Sequence, residues 1–332
     1  MNKTKLTGAV FSMVVALCGV SPLAHSAFPE KPITVIVPFG AGGGSDTLMR
    51  SLQKVIKKQR SLSQPIVVLN VGGAGSTIGS RRVKEAPADG YTYLLSHFAL
   101  LSSTATKVAD FEPNAFEPVA QVSQQCLLYA VQNDAKWKNL RELFDDAKAN
   151  PGTIKEAINI GAVVHVTSWM LSDAYGGVPL RYVQAGGGAK RFASLLGGHV
   201  DAAQFSTSEF VRFSPKGIRA LAYAGPTRHP ELPDIPTAIE QGMDTVACIN
   251  DWFFAPAGSP KENTQIFADA VIKAVKSDEI QGLYKKRKID TDILTGTALQ
   301  DKIDKDYAQI KSVSARHMDE LRTLKEEQKK SK

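Results

Sequence analysis

The sequence predicts an α/β fold of two domains with a cleft between them and a helical C-terminal extension. Three observations carry this. Strands alternate with helices through short loops in the first third of the chain, the alternation restarts near Leu127, and beyond residues 248–254 the pattern is mostly helical. Alternation of this kind implies parallel strands with helices on the sheet faces.

The first strand is Ile33-Thr34-Val35-Ile36-Val37, a β-branched run ending at Pro38. The loop 38–45 leads to a helix whose apolar residues Leu48, Leu52, Val55 and Ile56 recur on one face. A second strand, 66–69, enters Gly72-Gly73-Ala74-Gly75-Ser76 and a helix ending near Glu85. Pro87-Ala88-Asp89-Gly90 is a turn, and 91–96 is the third strand. After the restart, 127–131 is a strand and 140–149 a helix closed by Asn150-Pro151-Gly152. Strand 157–160 precedes a helix from about Thr167 to Tyr175. Strand 180–183 leads through Gly186-Gly187-Gly188 to a helix stopped at Gly197-Gly198, and strands 200–205 and 218–223 follow. From Lys261 onward the chain has no sheet of its own and is expected to pack back on the first domain. The first domain is then discontinuous, 27–125 plus 253–332, and the second is 126–252, with hinge crossings near 121–131 and 247–254.

Residues 1–26 have the form of a secretory signal peptide: Lys3 and Lys5, an apolar run near 6–20, and small residues around Ser26. The run is short for a membrane span, and a retained anchor is the alternative. No later stretch approaches the roughly 20 apolar residues of a transmembrane helix. The net charge of +7 falls to +5 without Lys3 and Lys5, and much of the excess lies in Lys285-Lys286-Arg287-Lys288 and at the C-terminus. Basic residues are not interleaved with aromatic ones, so no nucleic acid is expected as a partner. A mild positive field favours anionic solutes.

Beyond the signal segment the chain keeps Cys126 and Cys248, which fall in the two proposed crossings. In an oxidising compartment such a pair is a disulfide candidate across a hinge. Two separate buried thiols are the alternative.

Glycine-rich loops at 40–44, 72–75 and 186–188 each join a strand to a helix. Glycine lets the backbone approach a ligand closely, and a helix start offers unpaired N–H donors and partial positive charge. Together they make an anion site that needs no lysine or arginine. Ser45, Ser76 and Thr77 add hydroxyl donors. The nucleotide signatures fail, since Gly40-Ala41-Gly42-Gly43-Gly44-Ser45 lacks the third glycine of GxGxxG and no loop continues as GK[ST]. The hydrolase elbow GxSxG is absent. Asp46, in a first helical turn, complements the helix dipole and is expected to point away from an anionic ligand. The histidines have no metal-ligand spacing, and neither metal nor cofactor is expected. His165, between a strand and a helix, either orients that helix or donates to a ligand.

Read as a whole, the chain resembles the Bug family, the solute-binding proteins of tripartite tricarboxylate transporters. The matching segments include FPEKPITVIVPFGAGGGSD, NVGGAGSTIGS, ADGYTYLL, RYVQAGGGAKRFASLLGGHVDAA, HPELPDIPTAIEQG and WFFAPAGSPKE, in order and at matching spacing. The resemblance implies a periplasmic binding protein of the type II-like (Venus flytrap) fold that closes on a carboxylated metabolite. It implies contacts at Phe39, Gly40, Ala41, Gly43, Ser45, Gly72, Ala74 and Gly75 on one side. On the other side it implies His165, Thr167, Gly186, Gly187 and Ser206. The chain departs from the family at Ser96-His97-Phe98-Ala99-Leu100, at Ala162-Val163-Val164 and at Tyr182-Val183-Gln184-Ala185. One reading of these departures is a more apolar or aromatic acid.

The expected function is therefore capture of a small carboxylate in the periplasm, by a monomer, for delivery to a pair of membrane permease subunits. A co-sensor for a membrane signalling kinase is the alternative. An enzyme acting on a carboxylate or ester, through His165, Thr167, Ser168 or Ser206, is the remaining class, and no motif supports it.

Overall fold

The computed structural model describes residues 28–330; the signal segment 1–26 lies outside the described residues. Strands β1 (Ile33–Val37), β2 (Ile66–Asn70) and β3 (Thr92–Ser96) alternate with helices α1 (Gly44–Gln59), α2 (Thr77–Lys84) and α3 (Phe98–Ala105). A 17-residue strand, β4 (Phe116–Gln132), follows. The second alternation comprises α4 (Leu140–Ala149), β5 (Lys155–Ile158), α5 (Val163–Ala174), β6 (Arg181–Gln184), α6 (Gly188–Leu196), β7 (Ala202–Ser206), α7 (Thr207–Phe213) and β8 (Ile218–Tyr223). Strand β9 (Cys248–Pro256) precedes helices α8 (Lys261–Val275), α9 (Asp278–Arg287), α10 (Gly296–Arg316) and α11 (Met318–Lys330).

The strands form one hydrogen-bonded path in the order β2-β1-β3-β9-β4-β7-β5-β6, with β8 also on β4. Pairing is parallel within β2-β1-β3 and within β7-β5-β6, and antiparallel wherever β4 or β9 takes part. β4 belongs to both halves. Its first part pairs with β9 from Phe116 to Cys126, and its last part with β7 and β8. Each half buries an apolar cluster on both sheet faces. Ile33, Val35 and Val37 of β1 meet the Leu48, Leu52, Val55 and Ile56 stripe of α1 in one of them, while Ile36 on the opposite face joins another.

Helix α5 begins at Val163 and not near Thr167. Helices α3 and α7 lie where no helix was expected. In the C-terminal extension, α8 and α9 pack on α1, whereas α10 touches both α3 and α5 and so spans the two halves of the sheet. Cys126 and Cys248 are partners in the β4–β9 ladder and are joined by a disulfide.

Candidate functional site

A cavity of about 1260 Å³ opens where the loops after β1, β2 and β3 face those after β5, β6 and β7. This is the carboxyl end of both parallel strand sets, the usual ligand position in open α/β sheets. Small-molecule pockets usually span about 300–1,000 Å³, so this cavity has the size of an open cleft.

The loop after β1 is braced by the helix it leads into. Asp46, 3% exposed, accepts the Gly42 amide at 2.8 Å and Arg50 Nε at 2.9 Å. Arg50 also donates to Asn70 Oδ1, and Asn70 Nδ2 donates to the Phe39 carbonyl. Burial raises the Asp46 carboxyl, but the Gly42 amide, Arg50 and Asn70 outweigh it and hold the group below its ordinary value. Asp46 is not on the cavity wall. With its carboxylate spent on the loop, the starting amides of α1 are left to face the cleft.

The loop after β2 lies against the first. A Cβ added at Gly72 would stand 3.5 Å from the Gly40 nitrogen, and one at Gly79 would stand 2.6 Å from the Val71 carbonyl oxygen and 2.8 Å from Pro38 Cβ. Gly79 therefore sets how closely α2 approaches this corner. Ala74 and Ser76 both hold left-handed backbone, with φ of 44° and 86°. That conformation costs about 1–2 kcal/mol at a non-glycine residue. Ser76 Oγ lies buried on the cavity wall with no hydrogen-bond partner among the described residues.

Four helices begin at this cavity, with Gly43, Ser76, Ala162 and Gly187 in the N-cap positions of α1, α2, α5 and α6. Each N-cap residue lines the cavity, and none makes a side-chain cap hydrogen bond. The first amides of a helix have no partner inside it and carry about half a positive charge together. By contrast, α7 is closed by a capping box between Ser206 and Glu209, and α3 by His97, whose Nδ1 accepts the Ala99 amide at 3.1 Å.

His97 also stacks on Phe39, with ring centroids 4.5 Å apart and planes 3° from parallel, and both residues line the cavity. Burial pushes His97 down to about 4, so the ring is neutral near pH 7. With Nδ1 accepting from Ala99, Nε2 is the ring's N–H donor. Across the cleft, Arg191 is buried and donates to the carbonyls of Gln204 and Gly186 and to Glu209. Asp251 lines the hinge side and accepts from Ser123 Oγ; burial pushes it up to about 6, against that hydrogen bond. Arg212, Lys286 and Arg287 add positive charge to the wall. Among the described residues no cluster of His, Cys, Asp or Glu could hold a metal ion.

Of the residues expected at the site, Phe39, Gly40, Gly43, Ser45, Gly72, Ala74, Gly75, Gly187 and Ser206 line the cavity. Ala41, His165, Thr167 and Gly186 are not on the wall. The early start of α5 is the reason for two of these. His165 and Thr167 sit inside the helix, fully buried, where Thr167 Oγ1 donates to Gln204 and His165 Nδ1 accepts the Gly161 amide. The Gly186 carbonyl is held by Arg191. Ser76 and Gly188, expected from sequence as a hydroxyl donor and as part of a glycine loop, also line the cavity, whereas His97, Ala162 and Arg191 line it outside the expected contacts.

Comparison with known proteins bears on this geometry. The model of the tripartite tricarboxylate transporter family receptor matches residues 48–313. BugT of Bordetella pertussis is 30% identical over 293 residues, 84% of this chain and 87% of its own length. The solved structure of the periplasmic binding protein BugD is 30% identical, with a TM-score of 0.73 over 87% of this chain and 98% of that one. MatC from Rhodopseudomonas palustris, solved with bound malate, is 25% identical, with a TM-score of 0.73 over 86% of this chain and all of that one (100%).

Proposed function

We propose, from the premise that this chain belongs to the tripartite tricarboxylate transporter family of receptors and shares the fold of its periplasmic binding proteins, that it captures a small carboxylate for a membrane permease. As a solute-binding receptor it needs a site for its solute. The observation that carries the carboxylate reading is the convergence of four uncapped helix starts on one cavity, with the unpartnered Ser76 hydroxyl among them. Such donors favour an anion without a neighbouring lysine or arginine. The malate bound to MatC supports the same reading.

In this reading Phe39, Gly40, Gly43, Ser45, Gly72, Ala74 and Gly75 surround the carboxylate, and Gly187 and Ser206 close on it from the other side. His165 and Thr167 act from behind the wall, by positioning the loop 159–162 and α5. The two halves, 27–125 plus 253–332 and 126–252, close about β4 and β9, the two strands that run between them. The signal-like segment 1–26 and the location of BugD support a periplasmic site of action. Of the groups behind a catalytic reading, His165, Thr167 and Ser168 are buried off the cavity wall, and Ser206, which lines it, is engaged as the N-cap of α7 with Glu209, which supports the receptor reading over the catalytic one.

The test is a thermal-shift screen against mono-, di- and tricarboxylates. A ligand at a hundredfold excess over its dissociation constant adds about 2.7 kcal/mol and raises the midpoint visibly. A carboxylate that does so, and fails to when Ser45→Trp fills the wall, supports the proposal. A protein indifferent to every carboxylate overturns it.

A further inference from the structure

We propose that Phe39 and His97 form an aromatic wall that selects a carboxylate with a flat aromatic body, an inference that rests on the carboxylate reading above. The two rings are stacked nearly parallel on the cavity wall, and neither hangs free. The Phe39 carbonyl is held by Asn70, and His97 is held through its cap on α3.

The cleft has two unlike flanks. On one, α3 packs against α5; on the other, α7 packs against α9. The α7–α9 flank carries Arg212, Lys286 and Arg287. The wall contributed by α3, α5 and the loops beside them includes Ala99, Val108, Ile160 and Val163, and among the described residues it contains no charged side chain. The carboxylate site at the starts of α1 and α2 adjoins both flanks. A ligand body lying toward the stack therefore meets the two rings, aliphatic groups, and the side chains of Ser102, Ser103 and Asn159, whose hydroxyl and amide oxygens are already hydrogen-bonded within the protein. A second carboxylate placed there finds no cationic side chain, and among the described residues the start of α5 at Ala162 is the one uncapped helix start on that flank. An aromatic ring meets such a stack in the offset or edge-on arrangements that aromatic pairs prefer, which a saturated ring of the same size does not offer. A neutral His97 can also present its Nε2–H to a substituent oxygen.

The experiment compares benzoate with cyclohexanecarboxylate, two six-membered rings bearing one carboxylate each, by calorimetric titration of the purified protein. The expected result is benzoate binding about tenfold tighter, the ratio given by the upper range of aromatic-pair energies. His97→Asn keeps a good N-cap acceptor for α3 while removing the ring, and is expected to bring that ratio toward one. Phe39→Leu is expected to do the same without touching the cap. Equal affinity of the two acids in the unaltered protein, or a ratio unchanged in both variants, overturns the inference while leaving the carboxylate reading standing. Tightest binding by an aliphatic dicarboxylate such as malate also overturns it. Failure of every carboxylate to bind overturns both.

Discussion

Asp46 accepts the backbone amide of Gly42 at 2.8 Å, so the first helix of the fold ties down the glycine loop that precedes it. The same carboxylate holds Arg50, which reaches Asn70 and through it the Phe39 carbonyl. A flexible loop would lose entropy on gripping an anion; this one is already set in place. Asp46→Ala takes a charged, buried acceptor away from the exposed Gly42 amide and from Arg50, and we expect a loss of about 1.5–3 kcal/mol in urea unfolding, the range for hydrogen bonds to a charged group. Carboxylate affinity is expected to fall with it, and Asp46→Asn, which keeps an acceptor, to lie between. An alanine variant with unaltered stability and affinity would show that the brace is idle.

His317 gives a prediction in pH. Its Nε2 lies 2.8 Å from Asp173 and its Nδ1 3.3 Å from Glu320, and its ring stacks on Trp169. Arg316 shares Asp173, so the end of α10 and the start of α11 are fastened to α5. Burial lowers the His317 pKa, but Glu320 and Asp173 outweigh it and the group titrates above its ordinary value. A raised histidine contributes stability that is complete below the unfolded value, about 6.5, and that is lost as pH rises through the folded one. His317→Asn is therefore expected to be most destabilised relative to the unaltered protein below about pH 6.5. The two should converge at alkaline pH. A difference that is constant with pH would mean the contact acts by packing alone.

The Cys126–Cys248 disulfide closes a loop spanning 122 residues in sequence, at the point where β4 and β9 pass between the halves. For a loop of that length the chain-entropy model gives about 4–5 kcal/mol of stabilisation. Reduction, or Cys126→Ala with Cys248→Ala, is expected to lower the urea midpoint accordingly. An identical midpoint with and without reductant would contradict the bridge.

Which parts of this site could be read from sequence follows from where the signals lie. The loops after β1 and β2 were legible because a β-branched run, a glycine cluster and an amphipathic helix follow one another directly. The start of α5 was not. Ala162-Val163-Val164 holds no capping side chain, and two β-branched residues look like strand, so the pattern points to a helix only from about Thr167 and leaves His165 on the cleft side. Helix α3 is capped by His97, a residue that seldom announces a helix. Helix α7 did carry a signal, since Ser206-Thr207-Ser208-Glu209 has the capping-box spacing.

The length of β4 was hidden for a different reason. Gln121, Ser123 and Gln124 interrupt its apolar pattern, yet each is paired: Gln121 with Trp252, Ser123 with Asp251 and Gln124 with Asn250. Polar residues facing polar partners across a ladder leave no periodicity to read. The role of Arg191 needs the fold as well, because its partners Gly186, Gln204 and Glu209 come from a loop, a strand and a helix.

The most direct test of the central claim, that uncapped helix starts recognise a carboxylate, is to titrate the protein with a bound acid and with that acid's own primary amide. The two share shape and differ in charge. Hydrogen bonds to a charged group are worth about 1.5–3 kcal/mol against roughly 1 for a neutral one, so three such bonds favour the acid by at least about 1.5 kcal/mol, about tenfold in affinity. An amide that binds as tightly as its acid would contradict the account.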